Sequence, residues 1–125
     1  MNILGIVQEI IAGILDLEKE EIKRDSYLIR ELGVESIDLL ELSVELNSAF
    51  QIDVNEDEIF LQSLRLYLNE ARETNKEEVL FLKERYPFLT DQRIREVLSD
   101  LDDGPVLKVN DILAYVAWKT PVPHG

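Results

Sequence analysis

Gly33-Val34-Glu35-Ser36-Ile37-Asp38-Leu39-Leu40-Glu41-Leu42 decides how the rest of the chain is read. A glycine precedes a serine set between two acids, and an amphipathic run continues through Val44 and Leu46 to Phe50. Leu39, Leu42, Leu46 and Phe50 recur at helical spacing, so a helix is predicted over residues 36–50 with that stripe inward. Ser36 then falls where loop becomes helix. Backbone N–H groups there lack intrahelical partners and the helix dipole favours an anion, so a phosphate on Ser36 would lie in solvent beside free donors. Glu35 is a weak N-cap residue, and Leu39 stands three residues after Ser36, so no capping box is expected. The string Glu-Ser-Ile-Asp, taken alone, is an ordinary solvated helix start.

The longer pattern is more specific. Glu31-Leu32-Gly33, then Ser36-Ile37-Asp38, Glu41-Leu42 and Phe50-Gln51-Ile52-Asp53-Val54 resembles the prosthetic-group site of acyl carrier proteins. The usual form is Gly-x-Asp-Ser-Leu-Asp; here Glu35 replaces the aspartate and Ile37 the leucine. The resemblance implies 4′-phosphopantetheine attached to Ser36 through a phosphodiester, with Glu35 and Asp38 flanking it. It implies acyl groups carried as thioesters on the cofactor's thiol, and no catalysis by the chain itself. It also implies partners with basic patches docking on the helix at Leu40, Glu41, Val44 and Glu45. These would be a phosphopantetheinyl transferase and acyl-transferring or acyl-modifying enzymes of a fatty-acid, lipid or lipopolysaccharide-type pathway. Asn47 and Ser48 stand where many fatty-acid carriers have glutamates, which points to a specialised member. A peptidyl or aminoacyl carrier would use the same serine, and an unmodified acidic adaptor that only binds proteins is the alternative from another class.

Charge supports a docking role. The chain of 125 residues has a formal net charge of −13. Residues 1–60 hold 15 acids and 4 bases, and the remainder holds 11 and 9. No lysine or arginine occurs from Glu31 through Leu64, so the acidic field centres on Ser36. Such a charge argues against nucleic acid and anionic membrane as partners and favours basic proteins. With no cysteine, disulfides and thiolate metal sites are excluded. No apolar run is long enough to span a membrane and no basic leader is seen. A cytoplasmic monomer is the expectation.

Outward from the serine, residues 3–15 read as a helix with Asn2 as N-cap and Ile3, Val7, Ile10 and Ile14 on one stripe. Residues 16–32 form a long connection with a short turn expected near 27–30. After the serine helix, Asn55 is the N-cap of one longer helix over roughly 56–72. Thr74 and Glu77 form a Thr-x-x-Glu capping box opening a helix over 75–85, which Pro87 stops. Thr90 opens another, and 108–119 is the last, with Val109, Ile112, Leu113, Val116 and Trp118 inward. The predicted fold is all-α: a four-helix carrier bundle over 1–120 with a helical insertion at about 73–105, then a disordered tail at 121–125. The resemblance covers roughly 1–60 and 106–119; the insertion is unmatched.

Rival chemistries fail on residues. Asp102-Asp103-Gly104 suggests a calcium loop, but Leu101 and Asn110 would occupy ligand positions. His124 is the only histidine and sits in the tail, so no Ser–His pair is available.

Overall fold

Asn2 starts the first helix as predicted, its Oδ1 accepting from the Gly5 N–H at 3.0 Å. In the computed structural model, which describes residues 2–120, α1 spans Ile3–Leu15, α2 Ser36–Phe50, α3 Glu56–Ile59 and α4 Leu64–Glu73. α5 spans Glu78–Arg85, α6 Asp91–Asp100 and α7 Val109–Lys119, with 3-10 turns at Lys19–Glu21 and Leu101–Asp103. Among the described residues there is no strand, and the all-α expectation holds. The tail expected at 121–125 lies outside the described residues.

α1 packs against α2 and α7, α3 against α7, and α4, α5 and α6 pack in succession. Val7, Ile11, Leu42, Leu46, Phe50, Ile59, Ile112 and Val116 form the carrier-like core. That core continues without a break into Leu64, Leu68, Leu82, Tyr86, Ile94 and Val97. The residues between α3 and α7 are therefore folded onto the bundle, as their apolar content requires. Helices of 8 and 10 residues are marginal alone and persist by burying one face. Trp118 is an exception to the inward stripe of α7; it stays 44% exposed and lies against Phe88 and Tyr115.

Two expectations fail for one physical reason. The helix predicted over 56–72 is broken after Ile59. Leu61 adopts φ +55°, its N–H bonds to the Glu58 carbonyl at 3.3 Å, and the Gln62 N–H bonds to the Asp57 carbonyl at 3.1 Å. This is a Schellman closure, and it normally takes glycine or asparagine. A left-handed leucine costs on the order of 1 kcal/mol, and its burial in the core offsets that. The same closure ends α4. Asn75 is left-handed at φ +56°, and the Lys76 N–H reaches the Ala71 carbonyl at 2.8 Å. Thr74 therefore closes α4, donating its hydroxyl to the Glu70 carbonyl at 2.6 Å, and does not open α5. Glu77 is the N-cap of α5, accepting from Leu80 N–H at 2.7 Å. Thr90 caps α6 as predicted, accepting from Arg93 N–H at 3.0 Å.

The connection before α2 is tied along its middle to the start of α7. Arg24, Ser26 and Leu28 exchange backbone hydrogen bonds with Leu107, Val109 and Asn110, at 2.9–3.0 Å. Tyr27 and Lys108 form an isolated antiparallel bridge. The start of α7 thus buttresses the loop that delivers the serine.

Candidate functional site

Ser36 is the first residue of α2 and is exposed. Its position follows from the loop behind it. The Val34 N–H bonds to the Leu28 carbonyl at 3.0 Å and the Leu32 N–H to the Tyr27 carbonyl at 3.0 Å, so residues 27–34 close on themselves. Gly33, at φ +72°, makes the reversal where a side chain would be strained. Val34 is buried in the core. Anchoring Val34 fixes the chain two residues before the serine and leaves the serine in solvent.

Glu35 is the N-cap, in extended conformation, and its N–H donates to Asp38 Oδ2 at 2.9 Å. The first intrahelical bond runs from Leu39 N–H to the Glu35 carbonyl at 3.1 Å. A capping-box interaction therefore exists, contrary to expectation. It begins one residue earlier, at Glu35, so that the third helical residue is Asp38 and not Leu39. The carboxylate holding the helix start is one of the two acids flanking Ser36. The N–H groups of Ser36 and Ile37 precede the first intrahelical bond. Among the described residues the Ser36 hydroxyl has no hydrogen-bond partner. An exposed hydroxyl with free N–H donors around it fits a phosphodiester.

The outer face of α2 carries Ile37, Leu40 and Val44, exposed by 70%, 55% and 63%. Glu41 and Glu45 are exposed on the same helix. Leu40 and Val44 also border a shallow depression reaching to Asn55, Glu56 and Asp57. The sequence reading placed Leu40, Glu41, Val44 and Glu45 on this face. It counted Ile37 only as a motif residue, although its spacing of three from Leu40 and seven from Val44 marks it as the head of the same stripe. Inward, Leu42, Leu46 and Phe50 are buried as expected and Leu39 is half-buried.

A second cluster beside the site had no sequence signal. Tyr27 donates its hydroxyl to Asp100 Oδ2 at 2.6 Å, and Arg30 Nη1 donates to Asp100 Oδ1 at 3.2 Å. The Arg30 guanidinium lies 4.1 Å over the Tyr27 ring. The Tyr27 hydroxyl, followed by the Arg30 charge, holds the Asp100 carboxyl below its ordinary range. The Asp100 bond in turn pushes the Tyr27 phenol up. The end of α6 is latched in this way to the loop that presents Ser36. Among the described residues no group of acids, cysteines or histidines could hold a metal ion. No described helix is long and apolar enough to cross a membrane.

Residues 6–66, which take in most of α1, all of α2 and α3 and the Glu35–Asp38 cap, match the family model described as a phosphopantetheine attachment site. A protein of Sulfurovum sp. (strain NBC37-1) named acyl carrier protein is 31% identical over 58 residues, covering 46% of this chain and 77% of that protein. An acyl carrier protein of Clostridium acetobutylicum is 38% identical over 52 residues, 42% of this chain and 68% of the relative. One of Cyanophora paradoxa is 23% identical over a longer span of 90 residues, 71% of this chain and 82% of the relative. No solved structure matches the chain. With the serine site, the helical bundle and these relatives in agreement, the chain belongs to the acyl carrier protein family, non-enzymatic carriers bearing 4′-phosphopantetheine.

Proposed function

We propose that Ser36 is the attachment point of 4′-phosphopantetheine and that residues 1–120 are one acyl-carrier-like domain with its insertion at about 73–105. The observation that carries the assignment is the exposed Ser36 hydroxyl at the first position of α2, two residues beyond the buried Val34. When bound, the group supplies a thiol that holds acyl chains as thioesters. The chain's own part is to present it. Asp38 fixes the helix start through Glu35 N–H, and Val34 anchors the loop. Tethering raises the effective concentration of the acyl group at each docked enzyme. Basic patches on the transferase and on acyl-handling enzymes meet Glu41 and Glu45, with Leu40 and Val44 in apolar contact. Those enzymes belong to a fatty-acid, lipid or lipopolysaccharide-type pathway in the cytoplasm. The uncharged Asn47 and Ser48 on α2 favour a specialised pathway over the general fatty-acid one.

Intact mass after incubation with a phosphopantetheinyl transferase and coenzyme A tests the assignment. The wild type should gain one phosphopantetheine arm and Ser36→Ala none, with both folded alike. A wild type of unchanged mass would leave the adaptor reading, and labelling of the alanine variant would move the site elsewhere.

A further inference from the structure

The loop that delivers Ser36 is gripped by a residue from the added helices. Its core anchors are Leu28 and Val34, joined by a 3.0 Å backbone hydrogen bond, and none of residues 29–33 between them is buried. Tyr27 organises that tip. Its carbonyl accepts from the Glu31 and Leu32 N–H groups at 3.1 and 3.0 Å, and its own N–H donates to Glu31 Oε1 at 3.0 Å. Tyr27 is only half-buried, and its hydroxyl donates to one Asp100 oxygen while Arg30, within the tip, donates to the other. One carboxylate at the end of α6 thus ties the base of the loop to its tip. Asp100 is itself held in place. Arg65 Nη2 donates to the carbonyl of the next residue, Leu101, at 3.2 Å, and Arg93 of the same helix is bonded to Asp111 of α7 at 2.7 Å. Asp100 lies outside residues 6–66, the part that matches the family model. The carrier half alone does not contain this tie.

The geometry points to Asp100 as a positioning residue for the loading of Ser36: acting through Tyr27 and Arg30, it holds residues 27–34 in the form that the phosphopantetheinyl transferase engages. The inference rests on the Ser36 assignment. An enzyme that reaches Ser36 meets the loop and the start of α2 together, because the serine lies two residues beyond Val34. A loop that is already ordered adds no conformational cost to docking, whereas a loosened one must be ordered as the enzyme binds. Asp100 makes no bond to Ser36, so its loss leaves the reacting hydroxyl as it was. The signature is therefore weaker engagement without slower chemistry: KM for the carrier rises and kcat holds. A residue that only added to global stability would move neither, since the chain stays folded at the assay temperature.

The test follows arm transfer to the full apo chain by intact mass, with a phosphopantetheinyl transferase and coenzyme A, over a range of carrier concentrations. Asp100→Ala should raise KM for the carrier about three- to tenfold and leave kcat unchanged. Tyr27→Phe, which removes one hydroxyl, should give part of that rise. The double variant should lose no more than Asp100→Ala alone, because both changes break the same tie. Asp100→Asn, which keeps an acceptor, should return toward the wild type. Amide exchange on the same proteins should be faster at Leu32 in Asp100→Ala and unchanged at Ile112 and Val116 in α7. A wild-type KM in a variant whose Leu32 amide exchanges faster, an unchanged Leu32 amide, losses that multiply in the double variant, or a fall in kcat alone would each overturn the inference while leaving the carrier assignment standing. Tyr27→Phe decides the matter where Asp100→Ala is unstable. A wild type that gains no arm is a different result, and it removes the Ser36 assignment and this inference together.

Discussion

The Arg93 guanidinium grips the Asp111 carboxylate with two hydrogen bonds, Nε to Oδ1 at 2.7 Å and Nη2 to Oδ2 at 2.8 Å. Asp111 is 1% exposed and also accepts from the Lys108 N–H at 2.9 Å, capping α7. Arg93 further donates to the Val106 carbonyl at 2.8 Å. Burial works against the arginine's charge, but the Asp111 hydrogen bonds and charge outweigh it and hold Arg93 protonated. One ion pair thus bolts α6 to the start of α7 and to the return before it.

Asp111→Ala should cost about 3–5 kcal/mol, because it strands a buried cation and a helix N–H together. The double variant Arg93→Met, Asp111→Leu should cost less than the single alanine change, since no charge is left unpaired. Urea unfolding of the three proteins checks this. Equal losses for the single and double variants would show that packing, not charge, is what the pair supplies.

Tyr86 calls for the opposite change. Its ring is 1% exposed and edges onto Tyr67 and Phe88. Its hydroxyl is buried without a hydrogen-bond partner among the described residues. Burial, more than the neighbouring Tyr67, Asp57 and Glu58, drives the phenol's pKa well above its ordinary value. Tyr86→Phe keeps the ring contacts and removes an unsatisfied polar group, so stability should rise by about 1 kcal/mol. Thermal unfolding reads it directly, and a lower midpoint would mean that the hydroxyl has a partner.

The Tyr27–Asp100 latch has a defined pH window. Asp100 is depressed in the folded state, so its contribution is present above the ordinary carboxylate pKa of about 3.9 and is lost as pH falls through the lowered value. Tyr27 is raised, so its contribution is present below about 10 and lost above that as pH rises through the raised value. The latch should therefore be closed and pH-insensitive across the neutral range. Carboxyl NMR titration of Asp100 should show a low midpoint in the wild type that moves up toward the ordinary range in Tyr27→Phe. An unchanged midpoint would mean that the Tyr27 hydroxyl does not hold the carboxylate.

Much of the carrier half was legible because its signals are local. Asn2 and Asn55 are good caps within three residues of the groups they bond, as is Thr90 in the insertion, and the stripe Leu42, Leu46, Phe50 is a one-helix pattern. The break after Ile59 is missed in the sequence because Leu61 adopts left-handed backbone that only the packed state enforces. A leucine there looks like one more apolar residue in a helix. The Thr74–Glu77 pattern was present but used differently, each residue serving its own helix. Arg93–Asp111 and Tyr27–Asp100 are separated by 18 and 73 residues. A charged residue on a helix surface normally faces solvent, and nothing local distinguished these pairs.

Asp38 combines two roles that a pair of substitutions can separate. Its carboxylate accepts from Glu35 N–H at 2.9 Å, and its charge adds to the acidic face formed with Glu41 and Glu45. Asp38→Asn keeps a side-chain oxygen that can accept the same hydrogen bond but removes the charge. Asp38→Ala removes both. The alanine variant should lose about 1 kcal/mol of stability through the lost cap, and the asparagine variant much less. Both should slow encounter with a basic transferase at low salt, as should Glu41→Lys, which reverses an exposed charge beside Leu40. The deficit should shrink as ionic strength rises above about 0.1 M, where the screening length falls below roughly 10 Å. Transferase kinetics as a function of salt, with unfolding curves on the same samples, separate the effects. If Glu41→Lys associates as fast as the wild type at every salt concentration, docking is carried by Ile37, Leu40 and Val44 alone, and the acidic face only keeps the carrier dispersed.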